Sequence, residues 1–310
     1  AAEHPHVSID NGEFAVSVRE KAVLTTAGVS ASEKMSRISW FLFGMARDND
    51  DVGSYEYQYG CCTHAKDIYV EKTAHMLAEK AAANLNPRKI EPFSGDLILG
   101  PEAVSELIGN AIIFSVNANN VYRGQSVLAT KRGEQIASPI VTIRDNPLIP
   151  ADVNSSMFDR EGTPHQNVTV LDKGVLHHFL YDSLAANREG QPSTGNATGN
   201  FREIPRIGIA NYTIEGTSHP LETLLQEVDK GLMITRFSGA TDQISGDFSG
   251  AVKGAHLIES GEVTHSVKEA TIAGNVFEIL PKIRGISEET LRLPKMVFPY
   301  VTVPDMQVIA

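Results

Sequence analysis

The run Val168-Thr169-Val170-Leu171-Asp172-Lys173-Gly174-Val175-Leu176 reads as strand, tight turn, strand, and it sets the texture of the second half of the chain. Its β-branched and aliphatic residues favour a half-buried extended backbone, and Asp-Lys-Gly supplies the turn chemistry between the arms. The second arm is read as continuing from Val175 to Tyr181. Upstream, Ile140-Val141-Thr142-Ile143 has the same character and leads into the turn Asp145-Asn146-Pro147. Beyond about Asn120 the sequence therefore predicts an antiparallel β-rich lobe, barrel-like or a sandwich. One helix interrupts it, from about Pro220 to Lys230, with Ser218 or His219 near its cap and Gly231 as its stop. The Gly/Ser-rich stretch Ser238 to Gly254 is too mixed in composition for a linker.

Towards the N-terminus the pattern is mixed. Phe14-Ala15-Val16-Ser17-Val18 and Ile38-Ser39-Trp40-Phe41-Leu42-Phe43 read as strands of a meander, and Arg47 to Gly53 as a hairpin tip. Apolar residues at helical spacing between Ala65 and Ala83 predict an amphipathic helix. Ser94-Gly95-Asp96 reads as a turn into the buried strand Leu97-Ile98-Leu99, and Pro101 opens a second helix ending at about Ile108. The fold class is thus α+β: an N-terminal mixed α/β lobe with antiparallel strands over 1–119 and a C-terminal β-rich domain over 120–310.

Composition narrows the function classes. The 310 residues carry a net charge of −11, and the basic pairs Arg88-Lys89 and Lys131-Arg132 each have a glutamate two residues on, so neither nucleic acid nor an anionic membrane is an expected partner. No apolar run approaches the roughly 18 residues that cross a bilayer. Cys61 and Cys62 are the only cysteines; adjacent in sequence, they cannot build a disulfide framework, which suits a reducing cytoplasm. The chain opens on Ala1 without an initiator Met, so it is read as trimmed from a longer protein.

Three turn-rich stretches stand out: Phe158-Asp159-Arg160-Glu161-Gly162-Thr163-Pro164, Pro192-Ser193-Thr194-Gly195-Asn196 and Ser245-Gly246-Asp247-Phe248-Ser249. Each can be a plain tight turn, with glycine at positive φ and Asp or Ser bonding nearby backbone. Each can equally line a shared cleft. Asp159, Glu161 and His165 could supply general acid/base groups, although no nucleophile is identifiable by spacing. His177 and His178, adjacent on a strand, face opposite sides and cannot easily share an ion, so one is expected packed and the other exposed. Neither H-E-x-x-H nor G-x-S-x-G occurs.

In order along the chain, Val121 to Ser126, Asp159 to Gly162, Ser193 to Asn196, Gly246 to Ser249 and Thr271 to Asn275 resemble the TldD/PmbA family, with that family's most N-terminal portion missing. In the family the TldD-type subunit carries zinc on an H-E-x-x-x-H helix. An ungapped match on Arg123 places its three motif positions at Asn110, Ala111 and Ser115, none of which is a usual zinc ligand or base. The family's third ligand is a cysteine near the C-terminus, and this chain has none after Cys62. The resemblance therefore implies the PmbA (TldE) side of the pair: no catalytic residue, metal or cofactor in this chain, zinc in a TldD-type partner, and unfolded peptide as substrate. Asp159, Arg160, Glu161, Gly162, Ser193, Thr194, Gly195, Asn196, Asp247 and Ser249 would line the peptide cleft. Two alternatives stay open: a stand-alone hydrolase using Asp159, Glu161 and His165, and a self-associating peptide-binding protein, as a homodimer.

Overall fold

A computed structural model describes residues 4–49 and 51–310; Asp50, in the expected hairpin tip, and the first three residues lie outside them. The predicted short runs around Phe14 and Trp40 are the middles of much longer strands, Val7–Leu24 and Ser30–Asp48, paired antiparallel from Val7 opposite Ala46 to Leu24 opposite Ser30. Strand Glu56–Cys62 pairs with the other edge of Ser30–Asp48, which leaves Val7–Leu24 as the outer strand of this sheet. Gly60 has to be glycine, because a Cβ there would lie 2.2 Å from the Trp40 ring. Helix Val70–Ala83 crosses the sheet with Leu77, Ala78 and Ala81 buried, and the Trp40 indole donates to Thr73 Oγ1 at 2.8 Å.

The second unit is an eleven-stranded sheet, and part of it closes on itself. Phe93–Leu99, Lys230–Thr241, Asp247–Glu259, Thr271–Asn275 and Met296–Ile309 form a ring in which each strand pairs with the next and the last returns to the first. Closure removes the edges a flat sheet would expose. Its interior takes side chains such as Leu97, Leu99, Leu232, Ile234, Val301 and Val303, all buried. From Met296–Ile309 the sheet continues outward through Tyr212–Gly216, Val141–Asp145, Val168–Asp172 and Val175–Leu176.

Several expectations change. Ser94 to Asp96, expected as a turn, lie inside strand Phe93–Leu99, which belongs to the ring. The helix opened by Pro101 does not stop at Ile108. It runs on through a π-turn, Ser105–Gly109, into Asn110–Ser115, because Gly109 meets the Phe298 ring too closely for any side chain (2.7 Å from a Cβ) and the helix can pack there and continue. The arm after Gly174 is only Val175–Leu176, so His177 and His178 leave the ladder and both are exposed. The late helix is shorter, Leu221–Gln226, with no side-chain cap, and Gly231 lies in strand Lys230–Thr241, where a Cβ would meet the Asp96 carbonyl at 2.3 Å. A second helix, Ser183–Glu189, escaped the reading; Asp182 caps it by accepting from Ala185 N at 2.8 Å. Ser238 to Gly254 forms most of a long hairpin.

Candidate functional site

The N-terminal hairpin docks on the large sheet through Lys21. Its ammonium donates to Ser156 Oγ at 2.7 Å and to the Phe158 carbonyl at 2.8 Å, and pairs with Glu33 at 2.8 Å. Just beyond, Gly162 (φ +85°) lies so close to the hairpin that a Cβ would meet Val29 Cγ1 at 2.5 Å. Two adjoining cavities open along this seam. One, of about 720 Å³, lies between the hairpin sheet and the helix from Pro101 to Ser115; the other, of about 740 Å³, lies beside the turns at Asp159 and Asn196. Arg37, Gly208, Ile209 and Lys295 border both.

The turn residues at the second cavity hold backbone. Asp159, 1 % exposed, accepts through Oδ1 from Glu161 N (2.8 Å) and Thr163 N (2.9 Å), and through Oδ2 from Ala197 N (3.1 Å). Burial still pushes its carboxyl above the usual range, against the pull of those three N–H donors. Glu161 accepts from Ser183 N at 2.9 Å, at the start of helix Ser183–Glu189, and Arg160 donates to the carbonyls of Asn200 and Glu203. Ser193 Oγ takes the Gly195 N–H at 3.2 Å, and Gly195 sits at φ +72° with the Pro164 carbonyl 2.6 Å from where a Cβ would be. Thr194 Oγ1 accepts from Tyr181 N (2.8 Å) and donates to Asn196 Oδ1 (2.6 Å). Asn196 Nδ2 in turn donates to the buried Asp145 (2.7 Å) and the Gly208 carbonyl (2.9 Å).

These two turns are brought together, but the third is not. Asp247 and Ser249 are exposed and border neither cavity; Asp247 is tied to Asn275 (2.8 Å) and Ser245 (2.9 Å), and those hydrogen bonds hold its carboxyl below the usual range. The expected cleft of three shared turns is therefore a cleft of two, because Gly246 and Asp247 are held instead beside Phe277 and Asn275.

His165 borders the second cavity, and its pKa is lowered to about 4, first by burial and then by the Lys21 ammonium. The neutral ring is thus favoured in the folded chain. As pH falls from about 6.5 towards about 4, the unfolded chain takes up a proton that the folded one refuses, and stability is lost across that window. His165→Gln is expected to reduce that loss, read as urea midpoints for both proteins from neutral pH down to about 4.

The first cavity takes one of the three matched motif positions. Of Asn110, Ala111 and Ser115, only Asn110 reaches the cavity; Ala111 and Ser115 are fully buried in the core. The helix face that does line it presents Glu102, Ser105, Glu106, Asn110 and Ile113. A π-turn widens the helical repeat, so residues five apart share a face. Ser105 and Asn110 stand in that relation with Glu106 beside them, giving S-E-x-x-x-N. The π-turn leaves no signal in the sequence. The trio does not suit zinc: Ser105 Oγ contacts Met296 Sδ at 3.2 Å, Glu106 Oε2 accepts from Phe237 N at 2.6 Å, and neither Ser nor Asn is a usual zinc ligand. Burial raises the Glu106 carboxyl.

Family models now account for almost the whole chain. The model described as PmbA/TldA metallopeptidase central domain matches residues 1–85, and the one described as PmbA/TldA metallopeptidase C-terminal domain matches residues 94–310. The chain belongs to the TldD/PmbA family. An uncharacterised protein of Methanocaldococcus jannaschii is 30% identical over 248 residues, 79% of this chain and 58% of that one. Metalloprotease PmbA of Escherichia coli O157:H7 is 27% identical over 266 residues, covering 85% and 56%. The crystal structure of TldE from Thermococcus kodakarensis superposes with a TM-score of 0.93 at 25% identity, over 100% of this chain and 71% of the other. This TldD/PmbA member thus spans little more than half the length of its curated relatives. Among its described residues no helix is long and apolar enough to cross a membrane.

Proposed function

We propose that this chain is the non-catalytic subunit of a two-subunit metallopeptidase that processes unfolded peptides, with zinc held by a TldD-type partner. One observation carries the reading: the side of the helix from Pro101 to Ser115 that faces the first cavity presents Glu102, Ser105, Glu106, Asn110 and Ile113, with no His or Cys to hold zinc. The TldE likeness supports the same side of the pair. In this role the chain's own residues bind and orient peptide. The outer strand Val7–Leu24 offers unpaired main-chain groups over its length, which can take an extended segment of another chain with little demand on its sequence.

The stand-alone hydrolase has weaker support, because Asp159 and Glu161 are occupied in holding backbone N–H groups. Self-association draws on the exposed side chains of Phe14, Val16 and Val18 on the outer strand, and size measurement on the chain alone and with a TldD-type subunit separates it from the partner role. Cleavage of an unfolded peptide is expected only when the two subunits are mixed, and zinc chelation is expected to abolish it. Cleavage by this chain alone would overturn the reading.

A further inference from the structure

The cavity between the hairpin sheet and the helix from Pro101 to Ser115 has apolar walls, including Phe41, Tyr57, Ile113 and Met296, and charge at two places. Glu102 and Glu106 border this cavity alone, whereas Arg37 and Lys295 stand where it meets its neighbour. The acidic part is short of a cation. Behind it Glu56, Glu102 and Glu106 are served by Lys80 and Arg236, three carboxylates against two cations. Glu102 is 3 % exposed; its Oε1 faces Lys80 Nζ at 3.2 Å, and its Oε2 has no hydrogen-bond partner among the described residues. A buried carboxylate short of donors is costly, so a ligand cation beside it, reached through the partly exposed Glu106 on the same helix face, is favoured. The Tyr57 phenol in the wall is pushed up to about 12, first by burial and then by Glu106 and Glu102, against the pull of Arg236.

At the other end, Asp145 is the carboxylate that offsets Lys295, and Asp145 already accepts from Ala210 N, Asn211 N and Asn196 Nδ2. Arg37 donates to the Tyr59 hydroxyl; burial lowers the Lys295 ammonium first, and the nearby Arg37 adds a little to that. Two cations thus meet at the mouth between the cavities. A site with apolar walls, a carboxylate lacking a donor, and a cationic mouth selects a ligand with an amine, apolar side chains and a carboxylate.

We propose that this cavity binds a short apolar peptide with both ends free, its amino terminus at Glu102 and Glu106 and its carboxylate at Arg37 and Lys295. The proposal rests on the reading of the chain as a peptide-handling subunit and names what its own cavity takes. The same face that lacks zinc ligands would then serve as a peptide-terminus site.

The test is calorimetric titration of this chain alone with the tripeptide Leu-Leu-Phe, its N-acetyl form and its C-terminal amide. Binding at one site is expected, weakened at least about tenfold by acetylation. Glu102→Gln should weaken the free tripeptide to the level of the acetylated one and leave the acetylated one unchanged. Arg37→Gln should weaken the free acid and leave the amide unchanged. Should Glu102→Gln fail to fold, Ile113→Trp, which fills the cavity from a wall away from the ionic cluster, should abolish binding in a folded protein. No binding, equal binding of the acetylated peptide, or unchanged binding by the folded Ile113→Trp protein would overturn the proposal. Because no partner subunit is present, a failure here is distinct from a failure of peptide cleavage by the mixed subunits.

Discussion

Replacing Arg236 by Met is expected to destabilise the protein by about 3–5 kcal/mol, the range for leaving one member of a buried ion pair alone. The Arg236 side chain is 4 % exposed and projects from barrel strand Lys230–Thr241 into the hairpin sheet. There its guanidinium lies 3.5 Å from Glu56 Oε1, 3.3 Å from Ser54 Oγ, and against the Tyr55 carbonyl. It also covers the Tyr55 ring at 4.2 Å and the Tyr57 ring at 5.5 Å. Glu56 is 1 % exposed, and burial raises its carboxyl even with Arg236, Asn84 and Lys80 in place, so removing Arg236 leaves a buried carboxyl that must either hold a poorly compensated charge or take up a proton. Urea denaturation of the single variants and of Arg236→Met with Glu56→Met separates the terms. The double variant should recover much of the loss, because a well-packed apolar pair replaces a poorly solvated ionic one. If Arg236→Met costs less than about 1 kcal/mol, the guanidinium is not what pins the hairpin to the barrel.

That contact also marks how far the sequence could be read. The hairpin strands, the amphipathic helix and the β-rich second half follow from local periodicity: Leu77, Ala78 and Ala81 are buried at helical spacing, and Val141–Asp145 alternates as a half-buried strand must. What could not be read depends on contacts distant in sequence. Leu97-Ile98-Leu99 reads as a lone short strand after a turn, yet the whole of Phe93–Leu99 is strand and pairs with Lys230–Thr241 and Met296–Ile309, well over a hundred residues away. Gly231 has the look of a helix stop only while the Asp96 carbonyl beside it is unknown. The turn at Asp159 and the turn at Asn196 were legible as turns, and their meeting was not, since it depends on Asp159 accepting from Ala197 N. At the first cavity the helix geometry was not legible. An α-helical, ungapped reading points to Asn110, Ala111 and Ser115, whereas the π-turn brings Ser105, Glu106 and Asn110 to one face. Glu102, which the sequence shows only as an acidic residue in a first helical turn, becomes of interest through its burial and its unpartnered oxygen.

Asp159→Ala is expected to cost on the order of 3 kcal/mol, because it orphans three backbone donors at once and each unsatisfied buried N–H costs about 1–3 kcal/mol before any relaxation. The donors are Glu161 N, Thr163 N and Ala197 N, so the loss releases the turn that meets the hairpin at Gly162 together with the strand that follows Asn196. Asp159→Asn keeps the shape and one acceptor oxygen. Its carboxamide can still serve Glu161 N and Thr163 N while its NH₂ confronts Ala197 N, so about half the destabilisation should remain. The pair of substitutions divides structure from chemistry. If Asp159 is a framework residue, peptide cleavage by the mixed subunits should survive Asp159→Asn within a few-fold at a temperature where the variant is folded, and urea midpoints should fall in the order Asp, Asn, Ala. If Asp159 instead does acid/base work, Asp159→Asn would abolish cleavage while its midpoint stays near that of the unmodified chain, since an amide cannot exchange the proton. That outcome would return Asp159, Glu161 and His165 to the centre of the account, because His165 also borders the second cavity and is held neutral by burial and Lys21, as a general base must be.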